Sequence, residues 1–220
     1  MEKQTGKHVT FWYARHGQTL FNVLGRMQGW SDSPLSEVGK RQAQEAAALL
    51  SDVPLNAAFT STSERCADTA QIILEGRDIP LHYEKGLKEM NFGTLEGTLI
   101  KTRQEEIDRR KFITCDWSDI GGENLPQLQE RICRTYRSIF DACMDGDNIL
   151  IVSHGAIFLH MMPVLFGIFE SDYTGAVRPE DLPAPNGFAG VFTCDDGVFE
   201  LQSLRNLSAE KLAELKTHSA

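Results

Sequence analysis

Short apolar runs alternate along this chain with longer stretches whose apolar positions recur at helical spacing. Val9-Thr10-Phe11-Trp12-Tyr13-Ala14 and Asn148-Ile149-Leu150-Ile151-Val152-Ser153 read as strands that are apolar on both faces, as in a parallel sheet covered on both sides. Residues 57–60 and 80–83 read as shorter strands. Residues 36–50 predict a helix with Ser36 as N-cap, Glu37 at the favourable end of the dipole and an alanine-rich body. Further helices are expected at 63–74, 125–143 and 156–166, and a short exposed one at 208–216. The runs 187–193 and 198–204, separated by Asp195-Asp196-Gly197, predict a hairpin at the edge of the sheet. This alternation predicts an α/β fold, a three-layer open and mostly parallel sheet with helices on both faces.

Composition narrows the picture. The 220 residues contain no Pro/Gly/Ser-rich linker, repeat or low-complexity tract, so a single domain spanning 1–220 is expected, with an inserted cap around 98–123. A net charge of −9 argues against a nucleic-acid surface and confines basic character to local spots. The five cysteines include no C-x-x-C pair and are expected to be reduced and structural. The polar segment 1–8 lacks the apolar core of a signal peptide. The most apolar stretch, 156–169, is too short to span a bilayer comfortably and contains His160 and Pro163, so no membrane association and a cytoplasmic location are expected.

The chemistry gathers where strands end. Arg15-His16-Gly17 follows the first strand, His154-Gly155 follows the strand at 148–153, and Arg65 falls in the first turn of the helix after the strand at 57–60. Ligands of open α/β sheets bind beyond the carboxyl ends of the strands, so two imidazoles and two guanidinium groups are expected to share one pocket. Hydroxyls of Ser61 and its neighbours are expected to cap the helix that carries Arg65, and that N-terminus with its arginine favours an anion. A phosphoryl group fits this set of donors. A neutral imidazole attacks phosphorus when cations neutralise the equatorial oxygens, and we assign that attack to His16. Arg15 and Arg65 are expected to keep His16 unprotonated and to grip the phosphate, with Asn22 adding a neutral donor and His154 donating to a phosphoryl oxygen.

The same residues carry a family resemblance. Arg15-His16-Gly17-Gln18-Thr19 with Asn22 resembles the R-H-G-[EQ]-[ST]-x-x-N signature of the histidine phosphatase, or phosphoglycerate mutase-like, superfamily. Gln28-Gly29-Trp30, Asp32, Pro34-Leu35-Ser36, Gly39 and Gln42-Ala43 resemble its next block. Ser61-x-x-x-Arg65-x-x-x-Thr69-Ala70, Glu89-Met90-Asn91-Phe92-Gly93-Thr94-Leu95-Glu96-Gly97 and Ser153-His154-Gly155 follow in the family's order. The resemblance implies a phosphoglycerate mutase-like fold, with Gln28 and Gly29 joining Arg15, Asn22, Arg65 and His154 around the phosphate. It also implies Glu89 as the acid that protonates the leaving alcohol and the base that later activates water. Glu96 is expected to hold a loop.

The chemistry so implied requires neither cofactor nor metal. Members that act as mutases carry a long insertion after the Glu-containing block, with paired arginines for a substrate carboxylate; here Arg109-Arg110 follow Gly97 too soon. A phosphatase acting on a small phosphorylated metabolite is therefore expected. A cofactor-dependent phosphoglycerate mutase is the alternative, and a non-catalytic phospholigand-binding protein is the reading from another class. The loops 99–122 and 167–185 are expected to wall the pocket without naming one metabolite, and the sequence specifies no oligomeric state. Arg109-Arg110-Lys111 reads as a solvated helix face, and His8, His82, His160 and His218 as structural or surface residues.

Overall fold

Strand β1 (His8–Arg15) is buried on both faces: Val9, Phe11 and Tyr13 enter one core cluster, while Ala14, with Trp12 packed beside it, enters the other. Strand β4 (Asn148–Ser153) repeats the division, sending Ile149 and Ile151 one way and Leu150 and Val152 the other, the period of two that a pleated strand imposes. The two strands pair in parallel with Arg15 opposite Ser153. The computed structural model describes residues 6–168, 185–210 and 212–213.

Strands β2 (Ala57–Ser61) and β3 (Leu81–Glu84) extend the parallel sheet beyond β4, and β5 (Gly187–Asp195) and β6 (Val198–Leu204) add an antiparallel hairpin beyond β1. The strand order is β3-β2-β4-β1-β5-β6. Asp196 and Gly197 turn the hairpin with φ of 50° and 88°, the left-handed pair that matches the twist of adjoining strands.

Helices cover both faces, as the alternation predicts. α2 (Glu37–Leu49) and α3 (Glu64–Ile73) contribute Ala46, Cys66, Ala70 and Ile73 to one cluster. α5 (Leu125–Ala142) and α6 (Gly155–Phe166) contribute Leu128, Ile132, Ile157 and Phe158 to the other. The Ser36 hydroxyl caps α2 by accepting from Gly39 N at 3.1 Å, and Asn124 forms a capping box with Gln127 at the start of α5. Two helical pieces escape the apolar pattern because they are short: α1 (Leu20–Leu24), and α4 (Gln104–Arg109), which runs into a π-helical turn at Arg110–Thr114. The loop expected at 167–185 lies mostly outside the described residues, as does most of the helix expected at 208–216. Among the described residues no helix is long and apolar enough to cross a membrane.

Because β4 is packed on both faces, truncating it opens a cavity that neither layer can fill. Leu150→Ala is expected to cost about 2–5 kcal/mol in a denaturant titration, whereas Leu49→Ala, on the exposed side of α2, is expected to cost well under half of that.

Candidate active site

The β1–β4 register builds the centre of the site. His16 N continues the ladder by donating to Ser153 O at 3.0 Å, so the residues after the two strands lie side by side, and the imidazoles of His16 and His154 meet edge to face with centroids 5.3 Å apart. Gly17 must be glycine. A Cβ there would stand 2.3 Å from the Gly39 carbonyl oxygen, where the loop crosses the start of α2. Asn186, just before β5, donates from its side chain to the His16 carbonyl at 2.6 Å. No motif flagged Asn186; only pairing of β5 with β1 brings it there.

The hydrogen bonds distinguish the two histidines. His16 donates from Nδ1 to the Gly17 carbonyl at 2.8 Å, which leaves the Nε2 lone pair without a partner among the described residues. His154 accepts from Arg65 Nη2 on Nδ1 at 2.9 Å and donates from Nε2 to Ser61 Oγ at 2.8 Å, so both of its nitrogens are engaged. His16 retains 4 % of its surface in contact with solvent; His154 and Arg65 retain none. Burial first, then the charges of Arg65 and Arg15, hold the His16 pKa well below its ordinary 6.5. Burial and Arg65 do the same for His154.

Arg65 sits in the first turn of α3, as expected, but it is enclosed rather than exposed on the crevice. Its Nη1 donates to Ser31 O and Asp32 Oδ1, at 3.0 and 2.9 Å, and Nη2 donates to Gly29 O at 2.8 Å as well as to His154. Only Nε–H lacks an acceptor among the described residues. The expected Ser/Thr cap of α3 is not what forms: the Ser63 side chain makes no cap bond, and Asp32 Oδ2 accepts from Glu64 N instead. Asp32 thus reaches across from another loop to anchor both the helix and its arginine.

The neighbouring motif residues hold the loops. Gly29 acts through its carbonyl. Gln28 accepts from Thr19 Oγ1 at 2.6 Å and donates to Ser33 Oγ, while Asn22 Oδ1 accepts from Thr19 N in the capping box of α1. Both Asn22 and Gln28 also line the cavity described below. Glu96 accepts from the backbone N–H groups of Trp30, Ser31 and Phe92, which is the loop-holding part expected of it.

A cavity of about 350 Å³ opens beside this centre. Arg15, Glu89, Gly155 and Ala156 line one part of it, and among the described residues Glu89 is the one carboxylate in its lining. The Glu89 oxygens accept from Met90 N, Ala156 N and Ile157 N at 3.0–3.2 Å, fastening the carboxylate to the N-terminus of α6. A Cβ on Gly155 would lie 3.0 Å from Arg15 Cζ, so glycine lets that guanidinium lie against the start of α6.

The segment 98–123 supplies another wall, and here the expectation of a solvated Arg109-Arg110-Lys111 face holds for the exposed Arg109 and Lys111 and is corrected at Arg110. Arg110 is buried, forks onto both carboxylate oxygens of Asp119 at 2.7 and 2.9 Å and lies over the Trp117 ring. Lys111, Phe112, Cys115 and Trp117 line the cavity. His160, expected to be structural or at the surface, lines it too, 3.8 Å from Cys115 Sγ, and burial lowers its pKa to about 4. Among the described residues no cluster of three or more His, Cys, Asp or Glu is arranged to hold a metal ion.

Comparison with known proteins points to one superfamily. The model of the histidine phosphatase superfamily (branch 1) matches residues 11–205. An adenosylcobalamin/α-ribazole phosphatase of Salmonella typhimurium is 36% identical over 153 residues, covering 68% of this chain and 75% of that protein. A 2,3-bisphosphoglycerate-dependent phosphoglycerate mutase 2 of Gloeobacter violaceus is 34% identical, covering 64% and 68%. The solved structure of Bacillus stearothermophilus YhfR superposes with a TM-score of 0.77 at 30% identity over 92% of this chain and 99% of that one.

Two buried imidazoles with lowered pKa values make the fold acid-sensitive. The unfolded chain takes up their protons near the ordinary 6.5, while the folded chain resists until well below it. Their contribution is complete above 6.5 and is lost as pH falls through that interval, at roughly 1.4 kcal/mol per pH unit for each proton. Thermal melts are expected to show a midpoint that declines once pH drops below about 6.5; a midpoint that held or rose there would contradict the buried neutral rings.

Proposed function

Since the chain belongs to the histidine phosphatase superfamily, we propose that it is a phosphomonoesterase that hydrolyses a small phosphorylated metabolite through a phosphohistidine on His16. One observation carries the assignment of the nucleophile: among the described residues His16 keeps an unpartnered Nε2 lone pair, whereas both nitrogens of His154 are engaged. The His16 pKa, lowered by burial and two arginines, keeps that lone pair available at neutral pH.

In the first step His16 Nε2 bonds to phosphorus as the P–O bond to the alcohol breaks, and Glu89 gives its proton to the departing oxygen. In the second step water attacks the phosphohistidine, returns a proton to the Glu89 carboxylate and frees the imidazole. Glu89 suits this part as the one carboxylate lining the cavity among the described residues. Arg15 and the remaining Nε–H of Arg65 are the charge donors we assign to the phosphoryl oxygens, and a bound oxygen would take the His154 Nε2–H from Ser61. Arginine and N–H donors then supply the stabilising charge, so we read the reaction as metal-independent. Five free cysteines suit a reducing compartment, and we read the enzyme as cytoplasmic.

The mutase reading follows from the relatives that bear that name. The fixing of Arg110 on Asp119 disfavours it, since that arginine is committed to the protein rather than to a substrate carboxylate. Transfer of the phosphoryl group to an added sugar acid at a rate matching its release to water would favour it.

Rapid-quench labelling with a chromogenic phosphomonoester is expected to place the phosphoryl group on His16, and His16→Ala is expected to abolish turnover with the fold intact. A label on His154, or no covalent species, would overturn the assignment. Wild-type silence on a broad panel of esters across pH would instead favour the non-catalytic binder.

Arg65→Lys keeps a buried cation but not the fork, and is expected to lower kcat by about two to three orders of magnitude. Glu89→Gln is expected to slow alkyl esters much more than activated aryl esters, whose alcohols leave without a proton. Equal slowing of both classes would make Glu89 a positioning residue.

A further inference from the structure

The proposed chemistry leaves part of the cavity unexplained. Arg15 and Glu89 serve the phosphoryl end, yet the wall formed by 98–123 carries a further cation, Lys111. Lys111 stands at the second position of the π-helical turn Arg110–Thr114. The wide turn is fixed from outside: Arg110 is held by Asp119, Glu106 and the Asp116 carbonyl. π-helical turns are rare and occur frequently at functional sites.

Among the described residues the Lys111 ammonium has neither an ion pair nor a hydrogen bond. Its residue remains open to solvent, but protein surrounds the cavity closely enough that burial lowers its pKa, against the attraction of Glu89 and Asp108. An ammonium that lines an enclosed recess and has no direct partner there is placed to pair with a charge on a bound ligand. Arg26, the other cation lining this cavity besides Arg15, already donates from Nη1 to the Gly97 carbonyl. Trp117 is fully buried in the same wall, and its indole N–H has no acceptor among the described residues. Between these polar groups the walls are apolar, including Met27, Phe92, Ile100 and Leu159.

We propose that Lys111 is a specificity residue that reads a second anionic group, a carboxylate or another phosphate, on the alcohol portion of a phosphomonoester whose body is apolar. This rests on the hydrolase reading above and deepens it by naming the substrate class. The apolar walls take the body, Arg15 the phosphoryl group that is transferred, and Lys111 the distal charge.

The test compares phosphate esters that differ only in that charge. 4-Carboxyphenyl phosphate and 4-(2-carboxyethyl)phenyl phosphate are each paired with the corresponding neutral carboxamide, and kcat/KM is measured for all four. The aryl bisphosphate with a second phosphate at the 4-position tests the other anion. Wild type is expected to prefer at least one anionic ester over its neutral partner by about tenfold, as one charge-assisted contact allows, and to lose part of that preference at high salt. Lys111→Met is expected to bring the ratio close to one, while Lys111→Arg retains most of it. The carboxylate and phosphate arms show which anion is read.

No preference at any length or with either anion in wild type would overturn the proposal. So would a ratio that survives Lys111→Met, or one that is lost in Arg26→Gln but not in Lys111→Met. Turnover of neutral esters separates these outcomes from failure of the hydrolase reading, in which no ester would be cleaved.

Discussion

Burial of the Arg65 guanidinium constrains everything around it. A cation with no solvent contact is tolerable only when its N–H groups find acceptors, and here these come from the Gly29 and Ser31 carbonyls, the Asp32 carboxylate and the His154 ring. The loop 29–32 must therefore turn its carbonyls towards Arg65, and its N–H groups point to Glu96 instead. The same bond network fixes the tautomer of His154, because a nitrogen that accepts from arginine cannot hold a proton. One buried charge thus aligns two loops, a helix start and a strand end.

The electrostatics of the site run against those of the whole molecule. The chain has a net charge of −9, yet Arg15, Arg26 and Lys111 line one cavity in which, among the described residues, Glu89 is the single acid. A cationic recess in an acidic body draws in small anions without inviting polyanions, whose charges would meet repulsion over the rest of the surface. Locally, burial first and then the arginines hold both imidazole pKa values well below 6.5, so the cations gathered here favour neutral rings.

The sheet and its covering helices were legible because β1 and β4 are apolar on both faces and because Ser36 and the Asp196-Gly197 turn carry unambiguous local chemistry. The meeting of His16, His154 and Arg65 was legible from their positions after strands. What each nitrogen touches was not. The enclosure of Arg65, the cap of α3 by Asp32 and the tie from Asn186 all depend on contacts between distant segments. The run Arg109-Arg110-Lys111 misled for a related reason: charge runs usually face water, but the partner of Arg110 lies across a turn, and a π-helical turn shifts every following side chain off the α-helical spacing.

The position of β1 has a consequence for how the protein comes to exist. This strand, which delivers Arg15 and His16, precedes every other strand of the sheet, yet its neighbours are β4 and β5, encoded far along the chain. Closing such long loops comes late and slowly, so an N-terminal portion holds the His16 strand without a sheet to seat it. During synthesis β1 must wait as an unpaired apolar segment until β4 and the hairpin have been made. The meeting of His16, His154 and Arg65 assembles only as the architecture closes, which ties this candidate site to completion of the fold.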